Sequence, residues 1–172
     1  MVVVVVVVEA VVVVAAVEVK MILEKLKNYE IPNYIKKRFW LDHGRNLKKE
    51  EIDFIFDYLK EFLYLSYKYK GLYLSSYIVD EAWHTFILFT KEYHDFCYSI
   101  FGEFRHHKPS LSGYELDKKE IEETYFIFKK EFNTNIFELD QLLNIKGSKS
   151  KGIITIKENK NKIDIFLNNK KI

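Results

Sequence analysis

Asp80 and His84 stand four positions apart, Cys97 follows thirteen positions later, and the pair His106-His107 comes soon after. Carboxylate, imidazole and thiol are the side chains that hold transition-metal ions. On a helix, the four-residue spacing puts Asp80 and His84 on one face. There the carboxylate can join His84 as a ligand or orient its ring from behind. Mixed nitrogen and sulfur ligands favour zinc over magnesium or calcium. The chain's only cysteine, four of its five histidines and one of its two tryptophans fall between Tyr73 and Pro109.

Geometry limits which of these groups can meet. Thirteen residues of unbroken helix span about 20 Å at 1.5 Å per residue, whereas ligands of one ion lie about 2.0–2.3 Å from it. His84 and Cys97 can therefore share an ion only if the helix breaks between them and folds back. Phe89-Thr90 is the expected break, with Thr90 as N-cap and Glu92 early in the new helix. Gly102 is suited to end that helix, and His106 or His107 can return in the loop before Pro109. The metal set that follows is His84, Cys97 and His106 or His107, with Asp80 as fourth ligand or orienter. Each member also has a plainer reading. Asp80 and His84 can be a local pair, Cys97 a small buried hydrophobe, and His106-His107 surface residues. His94 reads as exposed, and His43, alone among polar residues, as a solvated surface histidine.

The string Val79-Asp80-x-x-Trp83-His84-x-x-Ile87-Leu88, followed by Tyr93, Phe96-Cys97, Phe101-Gly102 and His106-His107-x-Pro109, resembles the bacterial relatives of the glycine-rich domain-containing protein family. The similarity extends over roughly residues 31–132. It implies a helical domain with a metal or polar cluster at Asp80, His84, Cys97, His106 and His107, and it carries no catalytic assignment. The chain departs from that family in having no glycine-rich tail, with six glycines in all.

Apolar periodicity supplies the elements that must position these groups. Helices are predicted over Met21–Tyr29, Tyr34–Trp40 with Asn33 as cap, and Lys48 to about Tyr67, where Ile52, Ile55, Phe56, Leu59, Phe62 and Leu63 recur at helical spacing. A helix from Tyr77 or Ile78 follows, capped by Ser75 or Ser76. The next helical pattern is Asp117–Phe132, with Asp117-x-x-Glu120 as capping box and Ile121, Tyr125, Phe128 and Phe132 inward. Phe137–Leu143 is a shorter candidate. After a linker at 146–151 the period changes to two, and a hairpin is predicted with Glu158-Asn159-Lys160-Asn161 at its turn. An isolated hairpin is marginal, so it should dock on the helical body or on another chain. The fold class expected is mainly α: a compact domain of five to six helices over 21–145, with a C-terminal β-hairpin within 146–172.

Residues 1–20 stand apart. Valine fills Val2–Val8, Val11–Val14, Val17 and Val19, and the remaining chain has one valine, Val79. Glu9 interrupts a run already too short to span a membrane, and no basic region precedes it as in a signal peptide. The segment reads as placeholder letters or an artefact and takes no part in the functional reading.

Composition narrows the class. Aromatics at 16% and charged residues at 30% describe a globular chain. A net charge of +2 is too small to imply nucleic acid, and no membrane span is expected. One cysteine excludes an internal disulfide and fits a reducing, cytoplasmic setting. The leading expectation is a non-catalytic interaction module, with a protein partner or a second copy and a structural zinc or buried polar cluster. The alternative is a zinc hydrolase using His84, Cys97 and His106, with Glu81 or Asp80 as base and no HExxH-type motif to support it. A thiol or redox site at Cys97 lacks a second cysteine and an activating group.

Overall fold

The computed structural model describes residues 17–43, 45–69, 72, 76–107, 118–135, 139, 143, 154–159, 162–167 and 170–171. Among the described residues, six helices precede a small sheet. These are α1 (17–28), α2 (Asn33–Asp42), α3 (Lys49–Lys68), α4 (Tyr77–Leu88), α5 (Thr90–Phe101) and α6 (Lys118–Phe132). The mainly α architecture with a C-terminal hairpin matches the periodicity of the sequence.

The long α3 forms the floor. Ile55, Leu59 and Leu63, four apart, are fully buried along one stripe. Its start is fixed by the Lys48 N–H donating to the Glu51 carboxylate at 2.6 Å, and Glu50 and Glu51 lie in the first turn, where the helix dipole favours them. Across it lies α4, which also packs against α2 and α5. Seven of its twelve residues are buried, Asp80 and Thr85 among them.

Two caps differ from expectation. Asn33 is the first residue of α2, and Pro32 takes the cap position. Pro32, with φ −54° and ψ 138°, accepts at its carbonyl from the Ile35 and Lys36 N–H groups, at 3.0 and 3.3 Å, and the N–H it lacks is not needed at a helix start. The break between α4 and α5 falls at Phe89-Thr90 as expected, but Phe89 is the cap and Thr90 the first residue of α5. Phe89 has φ −88° and ψ 69°, so it ends one helix and starts the next. Its N–H reaches Phe86 O at 3.1 Å, and its carbonyl receives Tyr93 N at 2.9 Å. Gly102 closes α5 with φ 72°, in the left-handed region.

In the sheet, β1 (Ile154–Asn159) and β2 (Lys162–Leu167) pair antiparallel. The pairing runs out to Asn159↔Lys162, so the strands extend into the stretch expected to turn. A two-residue β3 (Lys170–Lys171), not foreseen from the sequence, adds beside β2. Ile156 and Ile165 face each other across the pair and are both buried, in one apolar cluster with the helical core. The expected Asp117 cap, the linker, nearly all of 137–143 and most of the valine run lie outside the described residues. Among the described residues no helix is long and apolar enough to cross a membrane.

Candidate metal centre

The local sequence of α4 places the first two groups. Ser76 caps the helix, its Oγ accepting the Val79 N–H at 3.4 Å. Asp80 therefore lies in the first turn and His84 one turn later. Asp80 is 5% exposed, between buried Val79 and Ala82. His84 points outward, with 44% of its side chain exposed. Their closest atoms, Asp80 Oδ1 and His84 Nε2, are 3.9 Å apart.

His107 completes the group from the loop beyond α5. Its Nε2 lies 3.0 Å from Asp80 Oδ1, and its ring meets that of His84 at 4.6 Å between centroids. The ligand atoms of Asp80, His84 and His107 all fall within 4.8 Å of one another. Ligands about 2.0–2.1 Å from a tetrahedral ion lie roughly 3.3–3.4 Å apart. The two separations from Asp80 Oδ1, 3.0 and 3.9 Å, bracket that spacing, and the third lies within 4.8 Å, so the side chains would have to draw together to hold one ion.

The loop returns to α4 because three side chains hold it. Trp83 Nε1–H donates to the Tyr93 hydroxyl at 3.0 Å. The hydroxyl in turn donates to the Arg105 carbonyl at 2.6 Å. The Arg105 guanidinium then reaches the Ser66 carbonyl on α3 at 2.7 Å. Phe104 packs edge-on against Tyr93, and His107 sits edge-on to Trp83 at 4.3 Å. Burial holds the Tyr93 phenol above its ordinary range, so it stays a hydroxyl able to donate and accept. Trp83 and Tyr93 were visible in the sequence as bulky members of the central pattern. Their bridging of α4, α5 and the loop was not.

The structure leaves two expected ligands apart from this group. Cys97 is fully buried on the inward stripe of α5, with Tyr93, Phe96 and Ile100. Its polar neighbours are the Arg105 backbone and the Tyr93 side chain, and burial pushes its thiol up. A thiol held neutral in the core is neither a ready ligand nor a nucleophile. The sequence offered Cys97 as a ligand, with a small buried hydrophobe as its plainer reading; its three- and four-residue spacing from Ile100 and Tyr93 is the signal that favours the plainer one. His106 is exposed and lies against Phe104, so of the adjacent pair it is His107 that turns inward. His94 is 57% exposed beside Asp95 and Tyr98, on the outer surface of α5.

His43 is exposed, as expected of a surface histidine, but it does not stand alone: 27% of its side chain is accessible, and its Nε2 faces Glu81 Oε2 at 3.5 Å. The same Glu81 oxygen faces His84 Nδ1 at 3.7 Å. Nothing local in the sequence pairs positions 43 and 81. The packing of α2 on α4 does.

Neither a characterised protein nor a solved structure matches the chain. A family model described as UCP032817-like matches residues 22–142. That span holds the six described helices but for the first residues of α1, together with every member of the Asp80, His84 and His107 group. The chain belongs to the UCP032817-like family.

Proposed function

We propose that the chain is a non-catalytic helical domain in which Asp80, His84 and His107 hold a structural zinc ion, and that it acts by contact with a protein partner or a second copy of itself. The observation that carries this reading is the convergence of three ligand atoms within 4.8 Å, drawn from α4 and from a loop braced against α3 and α5. A nitrogen-rich set with one carboxylate suits zinc better than calcium or magnesium. An ion there would tie the loop to α4, and its binding energy would add to folding stability. The resemblance to relatives of the glycine-rich domain-containing protein family, also a helical domain without assigned catalysis, agrees with this role. A single cysteine, kept as a thiol, suits a cytoplasmic setting.

The zinc hydrolase is the second reading, favoured by the 44% exposure of His84, which leaves one side of the group open to solvent. Glu81, the carboxylate offered as base, meets His84 on the Nδ1 edge, away from Asp80. That position suits holding the ring better than activating a water on the ion.

The test is elemental analysis of protein purified without chelator, followed by zinc titration calorimetry. One equivalent of zinc is expected, lost in both Asp80→Ala and His84→Ala, with the melting temperature raised by zinc in the wild type alone. Absence of zinc binding by the wild type would overturn the reading. Ester or peptide hydrolysis by the zinc-loaded protein, abolished by His84→Ala, would favour the enzyme instead.

A further inference from the structure

The metal reading leaves two titratable side chains beside the site without a role, Glu81 and His43. We infer that Glu81 is a positioning residue that sets the ring and tautomer of His84 for metal binding, and that His43 steadies Glu81 from α2. This rests on the proposal that Asp80, His84 and His107 form a metal site.

The imidazole of His84 has its two nitrogens on opposite edges. Nε2 faces Asp80 Oδ1 and the centre of the group, at 3.9 Å. Nδ1 faces Glu81 Oε2 at 3.7 Å. At 3.7 Å the two atoms stand just outside hydrogen-bond distance, and a small turn of the ring would let the carboxylate accept from Nδ1–H, the tautomer that Glu81 favours. That tautomer leaves a lone pair on Nε2, the nitrogen turned toward the other two ligands. Metal-bound histidines are commonly oriented in this way by a carboxylate on their second nitrogen.

His84 is the ligand with most need of such support. Asp80 and His107 have 7% and 13% of their side chains exposed and hold each other at 3.0 Å, and His107 also lies against Trp83. The His84 side chain is 44% exposed. Glu81, at 20% exposure, has its own anchor. The oxygen that faces His84 also faces His43 Nε2 at 3.5 Å, and the His43 ring lies against buried Phe39. The His43 backbone N–H is fixed to Phe39 O at 2.9 Å at the end of α2. The result is a path from α2 through His43 and Glu81 to His84, with every member on a helix or its cap.

The test compares Glu81→Ala, Glu81→Gln and His43→Ala with wild type in the full chain, by zinc calorimetry and by the visible spectrum of the cobalt(II)-loaded protein. Loss of an outer-shell partner typically weakens metal affinity about 10–100-fold. Glu81→Ala is expected to fall in that range, keep one equivalent of metal, and shift the cobalt bands. The Glu81→Gln amide oxygen can take the same place facing Nδ1, so this variant should recover part of the affinity. His43→Ala should weaken zinc less, and should add nothing in a Glu81→Ala background. Wild-type zinc affinity and an unchanged cobalt spectrum in Glu81→Ala would overturn the role of Glu81 while leaving the metal site standing. Failure of the wild type to bind zinc or cobalt would overturn both.

Discussion

Asp80 Oδ1 and His107 Nε2 lie 3.0 Å apart although 27 positions separate them in the chain. The contact exists because α4 ends at Phe89, α5 reverses the direction, and Gly102 turns the chain back toward α4. Everything proposed for the site depends on that return, so the residues that enforce it are the natural targets for perturbation.

Tyr93→Phe removes the hydroxyl that links Trp83 Nε1 to the Arg105 carbonyl, at 3.0 and 2.6 Å. Both groups then lose this partner in the interior. Leaving a buried polar group unpaired costs about 1–3 kcal/mol. Urea unfolding should report a loss in that range. Zinc affinity should fall too, because the loop carrying His107 loses its link to α4. An unchanged unfolding midpoint would mean that the loop is held by packing alone.

Much of this return was legible locally. The break at Phe89-Thr90 and the stop at Gly102 follow from residue types at single positions, and the Asp80-His84 pairing from helical spacing. What the sequence left open was which group of each neighbouring set turns inward. His107 rather than His106 meets Asp80 because Arg105 is pinned to Ser66 and Tyr93, which fixes the direction of the next two residues. The pairing of His43 with Glu81 depends on how α2 crosses α4, and no periodicity within either helix encodes it.

Gly102→Ala tests the turn itself. Gly102 has φ 72°, and a Cβ built there would meet nothing within 4 Å. The cost is therefore conformational, about 1–2 kcal/mol for an L-residue in the left-handed region. Gly102→Asn should cost less, since asparagine visits that region more readily. Equal losses for both variants in denaturant titrations would contradict this account.

Cys97→Ala separates core from ligand. Cys97 is fully buried, and removing its sulfur leaves a small void, a cost of about 1 kcal/mol by analogy with deleting one buried methylene. The variant should melt roughly 2–4 °C lower and still bind one equivalent of zinc. Loss of zinc stoichiometry together with stability would return the thiol to the ligand set.

Glu61 offers a test of stability against pH. It lies on α3, its Oε2 is buried, and that atom meets no hydrogen-bond partner among the described residues. Burial, with the charge of Asp57 adding, pushes its carboxyl from 4.5 up to about 7, against the opposing pull of Thr134 and Lys60. The folded protein therefore holds this proton more tightly than the unfolded chain does. The associated stability is fully present below about pH 4.5, declines as pH rises, and is gone above about pH 7. At about 1.36 kcal/mol per unit, the shift corresponds to at most roughly 3 kcal/mol. Glu61→Gln removes the titration and keeps a neutral side chain of the same shape. Relative to wild type, the variant should gain stability between about pH 5 and pH 8, read as a rising difference in urea midpoints. A difference that stays flat over that interval would show that the Glu61 carboxylate is solvated in the folded protein.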